Sequence, residues 1–344
     1  MEDGIATKRR YFAAANGYRG FRSYFPRVFD SSAYRRIFVL KGGPGTGKSS
    51  LMKKITRAFP DGAYRTEAIF CSSDPDSLDG VIVESKRGRV AVLDGTAPHE
   101  RDAVIPGAID EIVNLGEAWN AGALEARREE ILSLTKEKSA RYRDAYSYLA
   151  AFGKTRRNFS AENERCDTHA MREKILELLG HPSEDDVSPS EYRLIRAFGL
   201  RGEVLLPTFR VLAENTCLLR GSAAHKARVL YEVQRILEEK RIHAVIAPSP
   251  FDAEAIDGIL AEGARIGFLA VGEDGIPLDA DAFFESRGTD DVGDFALLLR
   301  AKGRFEAASD AHFALEKIYT AEMDFSVIDT FTERIIGRMR DILA

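Results

Sequence analysis

The sequence predicts an α/β protein of two similar parallel-sheet units with helical hairpins attached. Three observations predict it. A β-branched run, a glycine-rich loop and an amphipathic helix follow one another over residues 36–59. The same succession returns, weakened, from Thr216 onward. Between them lies a long stretch with helical spacing and no strand pattern.

The first succession is the most informative. Arg36-Ile37-Phe38-Val39-Leu40-Lys41 reads as a buried strand. Gly42-Gly43-Pro44-Gly45-Thr46-Gly47-Lys48-Ser49 then satisfies G-x-x-x-x-G-K-[ST], the phosphate-loop (P-loop) pattern. Ser50 to Phe59 follows as a helix, with Leu51, Ile55 and Phe59 four residues apart on one face, and Pro60-Asp61-Gly62 stops it. Glycines let the backbone curl so that N–H groups converge on phosphate oxygens. The helix presents its positive end to the same anion. Lys48 is expected to reach the β- and γ-phosphates, and Ser49 to place its hydroxyl on Mg²⁺. Residues Gly42 to Ser50 are thus the expected nucleotide-binding set.

A P-loop needs a second strand ending in an acid. Arg89-Val90-Ala91-Val92-Leu93-Asp94 supplies one, and Asp94 is expected to hold Mg²⁺ with Ser49; a turn-forming Asp-Gly is the plainer reading. Gly95 stands where many such enzymes carry a water-positioning acid. His99, with Glu100 beside it, is the candidate base, and a solvated loop histidine is the alternative. Ser72, Ser73, Asp74 and Asp76 end another strand, as acceptor-binding groups or as a turn and cap.

Self-comparison exposes a repeat. Ser77-Leu78-Asp79-Gly80-Val81-Ile82 recurs as Ala255-Ile256-Asp257-Gly258-Ile259-Leu260, an offset of 257 − 79 = 178 residues. The same offset carries Gly43 to Gly221, Lys48 to Lys226 and Asp74 to Asp252. The second loop, Gly221-Ser222-Ala223-Ala224-His225-Lys226-Ala227, is eroded. Side chains replace three cradle glycines, Ala227 cannot ligate Mg²⁺, and Ala270 stands where an Asp is required. This half is expected not to bind nucleotide.

The remaining segments read as helices. Pro106 to Trp119 is expected to be one, carrying Ile109, Ile112 and Val113. Leu124 to Leu149 reads as a long amphipathic arm broken at Gly153, with Met171 to Leu179 as its returning partner and residues 180–190 as a linker. Two C-terminal stripes, from Phe313 to Phe325 and from Val327 to Ile342, are packing faces or a lid. Arg127, Arg128, Arg156 and Arg157 are candidates to reach a γ-phosphate from the arm, or simply solvated charges.

Several stretches together resemble an uncharacterised bacterial family of tandem P-loop proteins, labelled ATPase or nucleotide kinase. They are Tyr11 to Asn16 with Gly20-Phe21, Phe38 to Ser49, Cys71 to Asp74, Ser77 to Gly80, Asp94-Gly95-Thr96-Ala97-Pro98-His99, Pro106-Gly107 and Asn114 to Trp119. The resemblance implies nucleotide binding. Members often carry a second intact loop, from which this chain departs. The Gly42 to Lys48 run and Asp94-Gly95 also look like elements of nucleoside monophosphate kinases.

Bulk properties bound the rest. At 344 residues, with 44% hydrophobic and 30% charged residues, the chain has room and apolar material for two cores. Forty-nine Lys and Arg against 54 Asp and Glu leave a net charge of −5, without the basic excess a nucleic-acid groove needs. Cys71, Cys166 and Cys217 are too scattered for a disulfide framework or a spaced zinc motif, and favour a reducing, cytoplasmic setting. Met1-Glu2-Asp3-Gly4 opens no apolar signal segment, and runs such as Ile266 to Val271 are too short to cross a bilayer, so no membrane partner is expected.

The fold expected is therefore two P-loop NTPase-like parallel-sheet domains from an internal duplication. Residues 1–120 form the active one, 121–190 a helical hairpin and linker, and 191–344 the degenerate one with C-terminal helices. The expected function is Mg²⁺-dependent binding and hydrolysis of ATP (or GTP) at one site, with Lys48, Asp94 and His99 as the catalytic candidates. A small-molecule or nucleotide kinase and a non-enzymatic nucleotide switch are the alternatives. An unidentified acceptor, or a protein docked on the helical arms, is the further partner considered.

Overall fold

A computed structural model describes residues 5–155, 164–180, 190–252, 255–287 and 293–344. Its first sheet runs β1 (Arg9–Phe12), β5 (Arg65–Phe70), β6 (Leu78–Ser85), β7 (Gly88–Asp94), β4 (Arg36–Lys41), β8 (Asp110–Asn114). Its second runs β9 (Glu191–Tyr192), β13 (Val245–Pro248), β14 (Ile256–Ala261), β15 (Ile266–Leu269), β12 (Asn215–Arg220), β16 (Ile276–Asp279). Strand by strand the two sheets have the same order and the same directions. In each half a hairpin follows the first strand, β2 (Ala14–Gly17) with β3 (Gly20–Ser23) after β1, and β10 (Arg196–Gly199) with β11 (Gly202–Leu205) after β9. A short helix follows each hairpin, α1 (Phe25–Val28) and α6 (Thr208–Leu212).

The sheets are mixed, which corrects the expectation of parallel ones. β6 lies antiparallel between β5 and β7, and β14 antiparallel between β13 and β15. The cause is loop length. Lys86-Arg87 alone joins β6 to β7, whereas a parallel neighbour needs a crossover of about a dozen residues or more. β4 and β7 remain parallel, so their carboxyl ends open on one side.

The helix after the first loop is α2 (Lys48–Ala58), and its counterpart is α7 (Ala223–Glu239). Leu51, Met52 and Ile55 of α2 are buried, as the sequence pattern requires. Residues 106–119 are not helical. Asp110–Asn114 forms edge strand β8 beside β4, and a single 3₁₀ turn follows at Leu115–Ala118. β-branched Ile112 and Val113 suit a pleated edge, and the exposed β4 edge supplies the backbone partners.

The arms are also rearranged. α3 (Ala121–Ala126) leads into α4 (Arg128–Thr155), which runs through Gly153 without a break. A Cβ at Gly153 would lie 2.7 Å from the Tyr18 side chain, so the glycine permits close packing. The partner of α4 is α8 (Phe295–Ala321), with Phe305 set edge-on to Tyr142 and Tyr146 at 5.7 and 5.9 Å. The expected returning arm, α5 (Thr168–Leu179), packs on α7 instead. α9 (Phe325–Leu343) lies along α2. Arg156, Arg157 and linker residues 181–189 lie outside the described residues. The largest hydrophobic cluster joins Phe12, Phe38 and Leu51 to Leu194, Phe209 and Leu218, so the two sheets share one core. Among the described residues, no helix is long and apolar enough to cross a membrane.

Candidate functional site

The loop from Gly42 to Gly47 curls as its glycines allow. Gly45 and Gly47 take φ of 69° and 79°, in the left-handed region. Thr46 Oγ1 donates to the Gly43 carbonyl at 2.9 Å and closes the turn. Gly47 caps α2 without any side-chain hydrogen bond, so the first-turn amides have no capping side chain. Lys48 Nζ folds back onto the carbonyls of Gly42 and Gly43 at 2.8 and 2.7 Å and stands 3.6 Å from Asp94 Oδ2. Ser49 Oγ accepts the Leu78 amide at 3.0 Å. Pro44 lies in the loop, and Ser50 faces solvent on the first turn of α2.

Asp94 ends β7 in register with Leu40 of β4, which places its carboxylate beside the loop. Thr96 donates twice to its Oδ1, through its amide at 2.8 Å and its hydroxyl at 2.6 Å. The other oxygen faces Lys48. Burial pushes the Asp94 carboxyl above its usual range, with Lys48 opposing and the Asp79 charge adding. A Cβ at Gly95 would meet Val39 Cγ1 at 2.4 Å, so no acid fits there.

His99 is not a solvated loop residue. Only 6% exposed, it stacks on Phe25 with ring centroids 4.4 Å apart and brings Nε2 to 2.9 Å from Asp79 Oδ2. Burial draws its pKa down, Asp79 draws it up, and the net shift is upward. A free base is therefore a poor description of it. Glu100 is exposed. Cys71, Asp79 and His99 present their ligand atoms within 4.8 Å of one another, a grouping that sequence spacing did not show. The one sequence signal for Asp79 was its place in the repeated motif.

The flanking polar run is mostly structural. Asp74 accepts the Asp76 amide at 3.2 Å and the Ser77 hydroxyl at 3.0 Å, forming a turn, and Asp76 pairs with Arg201. Ser73 Oγ accepts from Asn16 at 3.3 Å, and Ser72 is buried.

Helical arms cover the loop. Thr320 Oγ1 of α8 donates to the Gly45 carbonyl at 3.3 Å, and a Cβ on Gly45 would lie 2.6 Å from the Glu316 carbonyl oxygen. Tyr319 and Trp119 pack over Gly43, and Phe325 and Ile328 over Gly47. His312, 3.5 Å away, holds the Glu316 carboxyl below its usual range; burial opposes, and the Gly45 amide and Lys48 assist. Lys138 of α4 lies near enough to feel both Lys48 and Glu316; burial first, then Lys48, lowers its pKa. The cation that the arm brings to the loop is thus Lys138. Arg127 instead pairs with Glu130 at 2.9 Å, and Arg128 is exposed.

The second loop is built differently. Ser222 caps α7 by accepting the His225 amide at 3.2 Å. Asp281 accepts the Ser222 amide at 3.0 Å and faces His225 Nδ1 at 2.7 Å. Glu164 takes the other ring nitrogen at 2.8 Å, and Phe284 stacks on the ring. Lys226 Nζ donates to the Ala270 carbonyl at 3.3 Å. Gly258 pairs with Leu269 as Gly80 pairs with Leu93, so Ala270 falls where Asp94 stands.

Comparison with family models, with curated proteins and with solved structures finds no match for this chain.

Proposed function

We propose that the chain binds a nucleoside triphosphate, ATP in the first instance or GTP, with Mg²⁺ at the Gly42–Ser49 loop and hydrolyses it, and that the second loop is silent. One observation carries this reading: the contrast between two helix N-termini in matching places. α2 begins without a capping side chain, next to a lysine and a half-buried carboxylate. α7 is capped by Ser222, and Asp281 already fills the position an anion would take. The matched strand order supports an internal duplication in which one copy kept the anion site.

In this reading the amides of Gly45 to Lys48 cradle the phosphates and Lys48 turns outward from the Gly42 and Gly43 carbonyls to meet their charge. Ser49 and Asp94 are the residues that would hold Mg²⁺. They fit: Asp94 keeps Oδ2 on the loop side, and Ser49 Oγ, accepting from Leu78, still has a free lone pair. Bound there, Mg²⁺ neutralises developing phosphate charge. Catalysis is by positioning and electrostatics, with no covalent step on the protein.

A second reading has its own observation. The position after Asp94 cannot carry a water-positioning acid, because Val39 fills the space. That favours transfer to a small-molecule acceptor over transfer to water, as does the kinase-like loop sequence. The two are separated by following labelled terminal phosphate with Mg²⁺, with and without a metabolite extract. Hydrolysis predicts free phosphate in both, falling at least about tenfold in Asp94→Asn. Label appearing only in an organic phosphate establishes the kinase. Tight binding with no turnover in either leaves the nucleotide switch.

A further inference from the structure

The two halves invite a comparison at one more place. β5 shifts register between Ile69 and Phe70, and β13 shifts between Ala247 and Pro248, with Phe70 paired to Leu78 and Pro248 to Ile256. Cys71 therefore corresponds to Ser249, and Asp79 to Asp257. The hairpins align through Gly17 with Gly20 and Gly199 with Gly202, which makes Ala14 the counterpart of Arg196.

In the second half, Arg196 lays its guanidinium across these positions. It donates to both oxygens of Asp257 at 2.8 and 2.7 Å and to Ser249 Oγ at 3.3 Å. A buried carboxylate is thereby matched by a fixed cation. In the first half the arginine is an alanine. Asp79 is as buried as Asp257, yet its Oδ2 has no hydrogen-bond partner. His99 Nε2 comes within 2.9 Å of that oxygen without its N–H being aimed at it, and His99 Nδ1 is also buried and unpartnered. Cys71 completes the set, its Sγ within 4.8 Å of the Asp79 and His99 ligand atoms.

We propose that Cys71, Asp79 and His99 bind one borderline-soft divalent metal ion of the zinc class, which takes the place of the missing guanidinium. The donor set fits. Thiolate, imidazole and carboxylate together select zinc-like ions over Mg²⁺. Donors on one tetrahedral ion stand about 3.2–3.8 Å apart, so the present spread closes with side-chain shifts of about 1 Å. Cys71 gives up its proton to solvent on binding. Three protein donors leave a fourth position for water or a ligand. His99 is then a ligand rather than a base. The inference does not rest on the phosphate reading.

The test uses the full chain stripped of metal by chelator, with no nucleotide present. Co²⁺ is titrated in and followed by near-ultraviolet absorption, then displaced with Zn²⁺, with bound metal measured by equilibrium dialysis. The expected result is one equivalent of Co²⁺ with a thiolate-to-cobalt charge-transfer band, displaced by Zn²⁺ and not by Mg²⁺. Cys71→Ser abolishes the band, His99→Gln weakens Zn²⁺ binding by about tenfold or more, and Cys166→Ser changes neither. A folded wild-type chain that shows no such band overturns the proposal, as does a band that survives in Cys71→Ser. The wild-type result stands even if a variant fails to fold.

Discussion

Glu67 and Arg193 meet at 2.8 Å with each side chain only 3% exposed, and they come from opposite halves of the chain. Burial alone would raise the Glu67 carboxyl. Arg193, Arg65 and Arg89 more than reverse that and hold it well below the usual range. A carboxyl depressed on folding stabilises the fold above its unfolded pKa of about 4.3 and loses that contribution as pH falls toward the folded value. Chemical denaturation midpoints should therefore drop between about pH 5 and pH 2. Glu67→Gln should cost about 3 kcal/mol at neutral pH, because buried Arg193 loses its nearest charge partner and keeps the more distant Glu191 at 3.5 Å, and should flatten the acid dependence. An unchanged acid slope in Glu67→Gln would remove this pair from the account. At this scale the loop residues were legible in the sequence, since Gly45, Gly47 and Lys48 act through local backbone chemistry. Lys138 and Glu316 were not, since nothing local distinguishes them from other helix-surface charges and their target lies far off in sequence.

The elements over the loop set the next expectation. α8 lays Thr320 and Glu316 against Gly45, so on the proposed reading a triphosphate would compete with the Glu316 carboxylate for the loop. Glu316→Gln removes that competitor. It should tighten Mg-triphosphate binding about fivefold to tenfold, a change of roughly 1 kcal/mol, as read by a fluorescent-nucleotide competition assay. Weaker or equal affinity in Glu316→Gln would mean that α8 does not compete with the nucleotide. Elements were read correctly where periodicity and packing agree, as in β4, α2, β7 and the Val327 to Ile342 stripe of α9, whereas the expected Phe313 to Phe325 stripe runs across the break between α8 and α9. They were misread where tertiary pairing decides. Ile109, Ile112 and Val113 carry helix-like spacing, but the unpaired edge of β4 captures Asp110–Asn114 as a strand. Gly153 signals a break in isolation, yet Tyr18 packed against it makes glycine the residue that fits within α4.

At the scale of the molecule, two sheets of one topology share a core and differ at their loops. The likeness of the two halves was legible because Asp79 and Asp257, Lys48 and Lys226 keep one offset. The antiparallel strands β6 and β14 were not anticipated, because the buried runs read alike in either direction and only the short connections reveal it. Nor did spacing show that the Ser222 amide at the start of α7 is taken by Asp281, a residue about 60 positions beyond its loop (281 − 221). One copy able to take a triphosphate and one copy not is the central claim of the proposal. Calorimetric titration of Mg-ATP into the wild-type chain and into Lys48→Ala and Lys226→Ala tests it most directly. The account predicts one equivalent bound by the wild type and by Lys226→Ala, and none by Lys48→Ala. Two equivalents, or binding that survives Lys48→Ala and is lost in Lys226→Ala, would contradict it.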